Sequence, residues 1–91
     1  MAGYTSEKTD VQARLRRIEG QVRGIQRMVE EDKYCIDVLT QLAAAKAGLD
    51  GVAMLLLESH VQNCVTDAVR TGKSKQVVDE LSSAIKRLVR T

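Results

Sequence analysis

The 91-residue sequence has no proline, tryptophan or phenylalanine and only two tyrosines, yet 44% of its residues are hydrophobic. Its apolar side chains are therefore almost all aliphatic, which suits a helix bundle better than an aromatic-rich β-structure. No stretch alternates polar and apolar residues with a period of two, so strands are not expected. The length predicts a single domain over residues 1–91, with a modest core that self-association or a metal often stabilises.

A secretory leader and a long apolar run are also missing. The N-terminus, Met-Ala-Gly-Tyr-Thr-Ser-Glu-Lys, has no hydrophobic segment, and the longest apolar run, Val52 to Leu57, has six residues. Crossing a bilayer takes about 20 residues. We therefore expect a cytoplasmic protein without a membrane partner. In a reducing cytosol its two cysteines are ligands or sensors rather than a disulfide.

The charge is small in total but uneven along the chain. The formal net charge is +2, whereas the segment from Lys8 to Arg27 holds six basic and two acidic residues, and Glu30, Glu31 and Asp32 follow at once. Nucleic acid is attracted by local basic patches more than by the total charge. The first segment is therefore the candidate nucleic-acid surface.

Apolar residues recur in steps of four and three along this first segment: Val11, Leu15, Ile18, Val22, Ile25 and Val29. The heptad spacing predicts an amphipathic helix from about Glu7 to Glu31. Residues 1–6 are predicted to form a flexible tail. Gly20 and Gly24 each cost roughly 1 kcal/mol within a helix, which suggests that another backbone packs closely there.

A second, longer helix is predicted from about Tyr34 to Arg70, ended by Gly72, and Ser74 can cap a third. The predicted buried face of the long helix consists of Cys35, Leu39, Leu42, Leu49, Ala53, Leu56, His60 and Cys64. The stripe of the third helix consists of Val78, Leu81, Ile85 and Leu88. A helix of about 37 residues is about 55 Å long, so the first helix cannot cover it.

The centre of the long helix, from Ala43 to Gly51, is rich in small residues. Alanine is a good helix former and needs no further explanation, but Gly48 and Gly51 do. We expect a second copy of the chain to pack there. The predicted fold class is therefore all-α, a three-helix protomer that forms an antiparallel helical-bundle dimer.

His60 and Cys64 lie four residues apart on one helical face and can point at one ligand. Cys35 is roughly 43 Å upstream along the helix, too far to share a metal within one chain. An antiparallel dimer removes this difficulty. If its two-fold axis crosses the helix between Gly48 and Leu49, residue 35 lies level with residue 62 of the partner, midway between the partner's His60 and the partner's Cys64.

Two thiolates and one imidazole favour a soft metal, Cu(I) or Zn(II). Three ligands suit trigonal Cu(I), whereas structural zinc takes a fourth, and the chain has no other Cys or His. A lone Cys or His on an apolar face is more often a buried core residue than a ligand. From spacing alone, a copper site and simple burial both stay open.

Three segments together resemble the CsoR/RcnR family of metal-sensing repressors, and the resemblance covers nearly the whole chain. They are Arg14–Ile25 (RLRRIEGQVRGI), Tyr34-Cys35 and His60–Cys64 (HVQNC). The resemblance implies antiparallel dimers that pair into a tetramer. It also implies that the metal-free protein binds operator DNA as a repressor and is released when Cu(I) binds to Cys35, His60 and Cys64.

The branches of this family differ at three positions. In the family that the chain resembles, Ala2, His60 and Cys64 match the copper-sensing pattern. Nickel and cobalt sensors instead have His near the N-terminus and at position 64. Formaldehyde sensors have an N-terminal Pro and no Cys at 64, and persulfide sensors lack the histidine. In copper sensors of the family a Tyr and a Glu lie next to the metal ligands without binding the metal themselves, and these two residues match Tyr34 and Glu80. A thiol- or persulfide-responsive repressor of the same fold is the alternative.

The DNA-binding candidates are basic residues of the first two helices: Arg14, Arg16, Arg17, Arg23 and Lys46. The sequence has no helix-turn-helix spacing, zinc finger or stacking aromatics, and any one of these charges is ordinarily just a solvated helix residue. Some relatives have a basic residue near position 51, where this chain has Gly51. No acid–base set or substrate pocket is indicated, so we expect neither an enzyme nor a small-molecule substrate. A structural helical adaptor is a further alternative, but it would make the occurrence of Cys35, His60 and Cys64 accidental.

Overall fold

The computed structural model describes residues 4–89, which form three helices. Helix α1 spans Lys8–Glu30, α2 spans Cys35–Thr71 and α3 spans Ser74–Val89. A 3-10 turn, Thr5–Glu7, precedes α1. No strand is present within residues 4–89. The helices predicted over 7–31 and 34–70 are confirmed to within one residue at each end, and so is the all-α fold class.

Part of the predicted tail is ordered into the turn before α1. Thr5 and Ser6 belong to the 3-10 turn, in which the Glu7 N–H donates to the Tyr4 carbonyl at 3.0 Å. Residues 1–3 of the predicted tail lie outside the described residues. Tyr4 and the turn therefore have a defined place next to the helices.

The end of α2 follows the signal in the sequence, whereas the start of α3 differs from it. Gly72 has φ 80° and ψ 15°, the left-handed conformation that glycine adopts without strain, and the Lys73 N–H donates to the Ala68 carbonyl at 2.8 Å. Ser74 is the first residue of α3 rather than its cap, because the Lys73 carbonyl already accepts the Val77 N–H at 3.2 Å.

Helix α2 contains one wide turn. Two α-helical segments, Cys35–His60 and Thr66–Thr71, are joined without interruption by a π-helical turn, Val61–Val65. Turns of this type are rare and are frequently found at functional sites. The protomer is 56 Å in its longest dimension, in agreement with the length expected for the long helix.

Helices α1 and α2 pack antiparallel through residues spaced seven apart. The buried residues of α1 are Val11, Ile18 and Ile25, and those of the first segment of α2 are Ala45, Val52 and Ser59. Val11, Ile18 and Val52 form the core, against which Leu55 and Leu56 pack. The other half of the predicted α1 stripe, namely Leu15, Val22 and Val29, is between 38% and 60% exposed.

In the single chain, α1 does not cover the N-terminal half of the predicted buried face of α2. Cys35 is exposed, and so are Leu39, Leu42 and Leu49, each close to half exposed. Ala53, Leu56, His60 and Cys64 are half-buried. The reason is that α1 packs on the neighbouring face, about a quarter-turn around the helix axis, where Ala45 and Val52 lie.

The two central glycines of α2 face α1 of the same chain. A Cβ on Gly48 would lie 3.1 Å from Ile18 Cγ1, and a Cβ on Gly51 would lie 3.7 Å from a terminal guanidinium nitrogen of Arg14. The close approach that Gly48 permits is therefore to Ile18. The glycines are thus accounted for within one chain, and the packing of a second copy at this part of α2 stays a prediction.

The glycines of α1 and α2 predict different effects on stability. No second element approaches within 4 Å of a Cβ on Gly20 or Gly24, so the expected close packing does not occur in the protomer. Gly20→Ala should raise the free energy of unfolding by about 0.5–1 kcal/mol through helix propensity. Gly48→Ala should raise the free energy of unfolding by less, or lower it, because the Ile18 side chain must shift to make room for the new Cβ. Urea unfolding at one protein concentration measures both, and equal gains would contradict the tight Gly48–Ile18 contact.

By length and composition alone, α2 is also apolar enough to cross a membrane. Its best 18-residue window has a mean hydropathy of 1.2, and 11% of that window is buried. The run Val52–Leu57 considered above understates this apolar character. A core helix of a soluble bundle passes the same test, so the finding is weak.

Candidate metal centre

His60 and Cys64 lie at the wide turn of α2. His60 is the last residue of the first α-helical segment, and Cys64 belongs to the π turn itself. Both are half-buried, and Cys64 is a free thiol. A π turn carries more residues than an α turn but still keeps residues four apart on one side of the helix axis. The structure thus keeps both ligand candidates together.

Cys35 lies at the other end of the same helix. It is the first residue of α2, exposed and free, 25 residues before His60. Within residues 4–89, no group of three His, Cys, Asp or Glu side chains is arranged to hold a metal ion. One protomer does not bring the three predicted ligands together.

His60 lines a cavity of about 480 Å³ between α2 and α3. The wall is mostly aliphatic and consists of Ala53, Leu56, Leu57, Leu81, Ala84, Ile85 and Leu88. The polar side chains that line it are Tyr4, His60 and Glu80. Glu80 of α3, whose carboxylate accepts a hydrogen bond from Gln76 Nε2 at 3.4 Å, lines the same cavity as the imidazole. It does not include Tyr34, which is 70% exposed beside Cys35.

The turn before α1 contacts the ligand-bearing part of α2, which the sequence reasoning missed. Tyr4 lines the cavity, and the Ser6 hydroxyl donates to Glu7 Oε2 at 2.7 Å. Hydrogen bonds from the Ser6 and Ser59 hydroxyls hold the pKa of Glu7 below its usual range. Ser59 is buried, next to His60 in sequence. In the sequence, the one feature that could have indicated this contact is the polar segment Tyr4–Glu7 directly before the first helix.

The candidate DNA-binding residues fall on separate surfaces. By helical spacing, Arg16 and Arg23 share the face of α1 opposite Ile18, and Arg27, which the sequence reasoning did not include, lies on the same face. Arg23 is paired with Glu19 at 2.9 Å. Arg17 borders this face.

Arg14 and Lys46 are placed differently. Arg14 lies over Gly51 and pairs through Nε with Asp10 at 3.1 Å. Its guanidinium thus reaches the position where some relatives have a basic residue. Lys46 falls between Leu42 and Leu49, within the exposed apolar stripe of α2.

A comparison with known families adds the identity of the fold. Residues 7–87 match the family model described as metal-sensitive transcriptional repressor. The chain belongs to this repressor family. The match confirms the resemblance seen in the sequence. Because the family is one of regulators, it also confirms that this repressor is not an enzyme.

The repressor is similar to curated copper sensors over nearly its full length. It is 55% identical over 91 residues to the copper-sensing transcriptional repressor RicR of Mycobacterium tuberculosis, covering 98% of this chain and 95% of that protein. It is 46% identical over 87 residues to the copper-sensing transcriptional repressor CsoR of Bacillus subtilis, covering 96% of this chain and 86% of that protein.

Solved structures share the fold of the repressor. The copper-sensing repressor CsoR of Geobacillus thermodenitrificans, crystallised with Cu(I), superposes with a TM-score of 0.90 at 46% identity, covering 94% of this chain and 90% of that one. The nickel-responsive transcriptional regulator InrS superposes with a TM-score of 0.77 at 41% identity, covering 89% of this chain and 91% of that one. Both likenesses agree with the three-helix architecture.

Proposed function

We propose that this repressor binds operator DNA in the metal-free form and releases it when Cu(I) binds between two chains. The site consists of Cys35 from one chain and the partner's His60 and Cys64. The observation that carries the proposal is the placement of these side chains: His60 and Cys64 share one half-buried turn, while Cys35 lies exposed at the far end of the same helix. Copper-sensing relatives support it.

The uncovered stripe of α2 supports the dimer that this site needs. Leu39, Leu42 and Leu49 are each close to half exposed in the protomer. Burying such a side chain fully is worth about 1.5–3 kcal/mol, and these have about half of that still to gain. An antiparallel second copy with its two-fold axis between Gly48 and Leu49, on the Leu49 side of the helix, covers the stripe.

The same two-fold axis completes the site. It sets Cys35 level with residue 62 of the partner, between the partner's His60 and Cys64. We further propose that two such dimers pair into a tetramer. Exposed apolar residues of α3, namely Val78, Ile85 and Leu88, offer the additional surface.

The donor set fits a soft monovalent metal. Two thiolates supply most of the affinity for Cu(I), and one imidazole completes a trigonal arrangement. The ion supplies charge and a fixed coordination geometry, and no bond of a substrate is made or broken. The chain's own contribution is to hold the three donors on two rigid helices and to lose the thiol protons on binding.

The imidazole connects the site to α3. A ligating histidine leaves one ring N–H for a hydrogen bond, and that bond fixes the ring orientation. Glu80 lines the same cavity as His60 and is the acceptor available from α3. Tyr34 precedes Cys35 and so reaches the site from the other chain. Metal binding is thereby coupled to the arrangement of α3 and of the subunits.

Replacing Arg14 and Arg17 together by Gln should weaken operator binding without changing Cu(I) affinity in the free protein. Each lost phosphate contact lowers the salt dependence, so the slope of log K against log salt should fall by about 1 per contact. Fluorescence anisotropy of labelled operator at several salt concentrations measures this. The matched control replaces Lys75 and Lys86 of α3, and unchanged operator affinity in the α1 variant would move the DNA surface elsewhere.

A titration of the wild-type repressor with Cu(I) in a competing chelator, with operator binding followed in parallel, tests the proposal as a whole. Release in step with copper loading supports it, and loading without release refutes it. The free, exposed thiol of Cys35 favours one alternative, a thiol or persulfide sensor that bridges Cys35 to the partner's Cys64. Release by persulfide that a reductant reverses, with no release by Cu(I), would identify that sensor.

We also propose that the whole chain acts as one metal-sensing and DNA-binding unit in the cytoplasm. Operator DNA is there, and the reducing conditions keep Cys35 and Cys64 as thiols. Fractionation of cells expressing the native chain tests this directly.

A further inference from the structure

The turn before α1 lies next to a candidate ligand of α2. Tyr4 lines the cavity that His60 and Glu80 also line. Three residues later, the Glu7 carboxylate accepts a hydrogen bond from the Ser6 hydroxyl at 2.7 Å. The hydroxyl of Ser59, the buried residue that precedes His60, also helps to hold the pKa of Glu7 below its usual range.

This turn joins Tyr4 directly to α1. The Glu7 N–H donates to the Tyr4 carbonyl at 3.0 Å, which closes the 3-10 turn, and α1 begins at the next residue, Lys8. A shift of Tyr4 therefore moves the start of α1. The same helix carries Arg14, Arg16 and Arg17, so the turn is a physical connection between the ligand-bearing segment and the candidate DNA surface.

We propose that Tyr4 and Glu7 are positioning residues: Tyr4 closes the cavity over His60, and Glu7 holds the turn that joins Tyr4 to the start of α1. The proposal deepens the proposed function and rests on it for the coupling to DNA. In the metal-free protein the phenol ring shields the imidazole from solvent and limits its orientations. When the imidazole is drawn towards the partner's Cys35, the turn passes that movement to α1, separately from the route through Glu80 and α3.

The first test needs no metal, because the chain has a single histidine. Acylation of His60 by diethyl pyrocarbonate is measured in the metal-free protein as the rate of carbethoxyhistidine formation. Tyr4→Ala should raise this rate several-fold, and Tyr4→Phe should leave it near the wild-type rate because the ring is kept. Thr5→Ala, in the same turn and exposed, is the matched control. An unchanged rate in Tyr4→Ala would overturn the shielding role.

A second measurement covers the case in which Tyr4→Ala does not fold. The chain has only two tyrosines and no tryptophan, so Tyr34→Phe leaves Tyr4 as the sole fluorophore. Acrylamide quenching of the metal-free Tyr34→Phe protein should increase when Glu7→Gln is added and stay constant when Thr5→Ala is added. Equal quenching in both double variants would overturn the role of Glu7.

The final test is the copper response. Wild-type release by Cu(I) is established first, and its absence would refute the proposed function while leaving the His60 reactivity result standing. Given that response, Tyr4→Ala and Glu7→Gln should each retain Cu(I) affinity. The loss of operator affinity caused by copper should be about tenfold smaller in each, which corresponds to about 1.4 kcal/mol of coupling. Full coupling in both variants would overturn the connection to α1.

Discussion

Cys35→Ala is expected to weaken Cu(I) binding by more than about 100-fold, because losing a coordinating thiolate costs more than the 10–100-fold that removing an outer hydrogen-bonding group costs. The remaining His60 and Cys64 sit on one turn and offer only two donors. A competition titration against a Cu(I) chelator measures the change. Thr40→Ala, one turn further along α2 and also exposed, is the matched control. Wild-type affinity in Cys35→Ala would exclude the inter-chain site.

Mixed dimers test the same site through restored Cu(I) binding instead of lost Cu(I) binding. A Cys35→Ala chain paired with a Cys64→Ala chain has one site with Cys35 of the second chain and His60 and Cys64 of the first. Its other site lacks both thiols. The heterodimer should therefore bind one Cu(I) with wild-type affinity, whereas neither homodimer does. If all three ligands came from one chain, mixing would restore nothing.

The second large effect concerns His60, which separates binding from release. His60→Ala should keep substantial Cu(I) binding, because the two thiolates dominate affinity for a soft metal. It should lose release, since the imidazole is the only ligand with a second nitrogen able to hydrogen-bond to Glu80. Allosteric coupling is typically about 1–3 kcal/mol, comparable with one or two well-placed hydrogen bonds.

Operator affinity with and without saturating Cu(I), for wild type and His60→Ala, measures this difference. The expected variant loads copper and stays on its operator. Glu80→Gln serves as a companion, because it removes the acceptor charge but leaves all three ligands in place. Complete release of His60→Ala by copper would make the imidazole an ordinary ligand and remove the route through α3.

Hydrophobic spacing predicted the helices because it is a local property of the chain. The steps of three and four along α1 and the left-handed Gly72 fix where helices lie and end, whatever packs against them. The same spacing did not predict which side of α2 packs against α1. That depends on how α1 folds back through the connection at 31–34, where Asp32 adopts a left-handed φ of 56° without a glycine to signal it.

The contacts of the glycines and the position of the wide turn also could not be predicted from the local sequence. Gly48 was interpreted as a contact with a second chain, yet its neighbour is Ile18, because small residues report a close approach and not the identity of the partner. The π turn at Val61–Val65 has no proline or glycine to mark it. His60 and Cys64 were found from their chemistry and spacing, whereas Tyr4 and Ser59 reach the cavity only through tertiary packing.

The wide turn in α2 has an evolutionary consequence. It holds one residue more than an α-helical turn, so every residue after Val65 stands about 100° less far around the axis than an uninterrupted α-helix would place it. A one-residue deletion within 61–63 would restore regular helix, keep both ligand types and leave α3 in its place, because the wide turn already accommodates the extra residue. Sensors that diverged by such an insertion or deletion would share their ligand types and the placement of α3, so an alignment gap at this turn marks lineage without a change of fold.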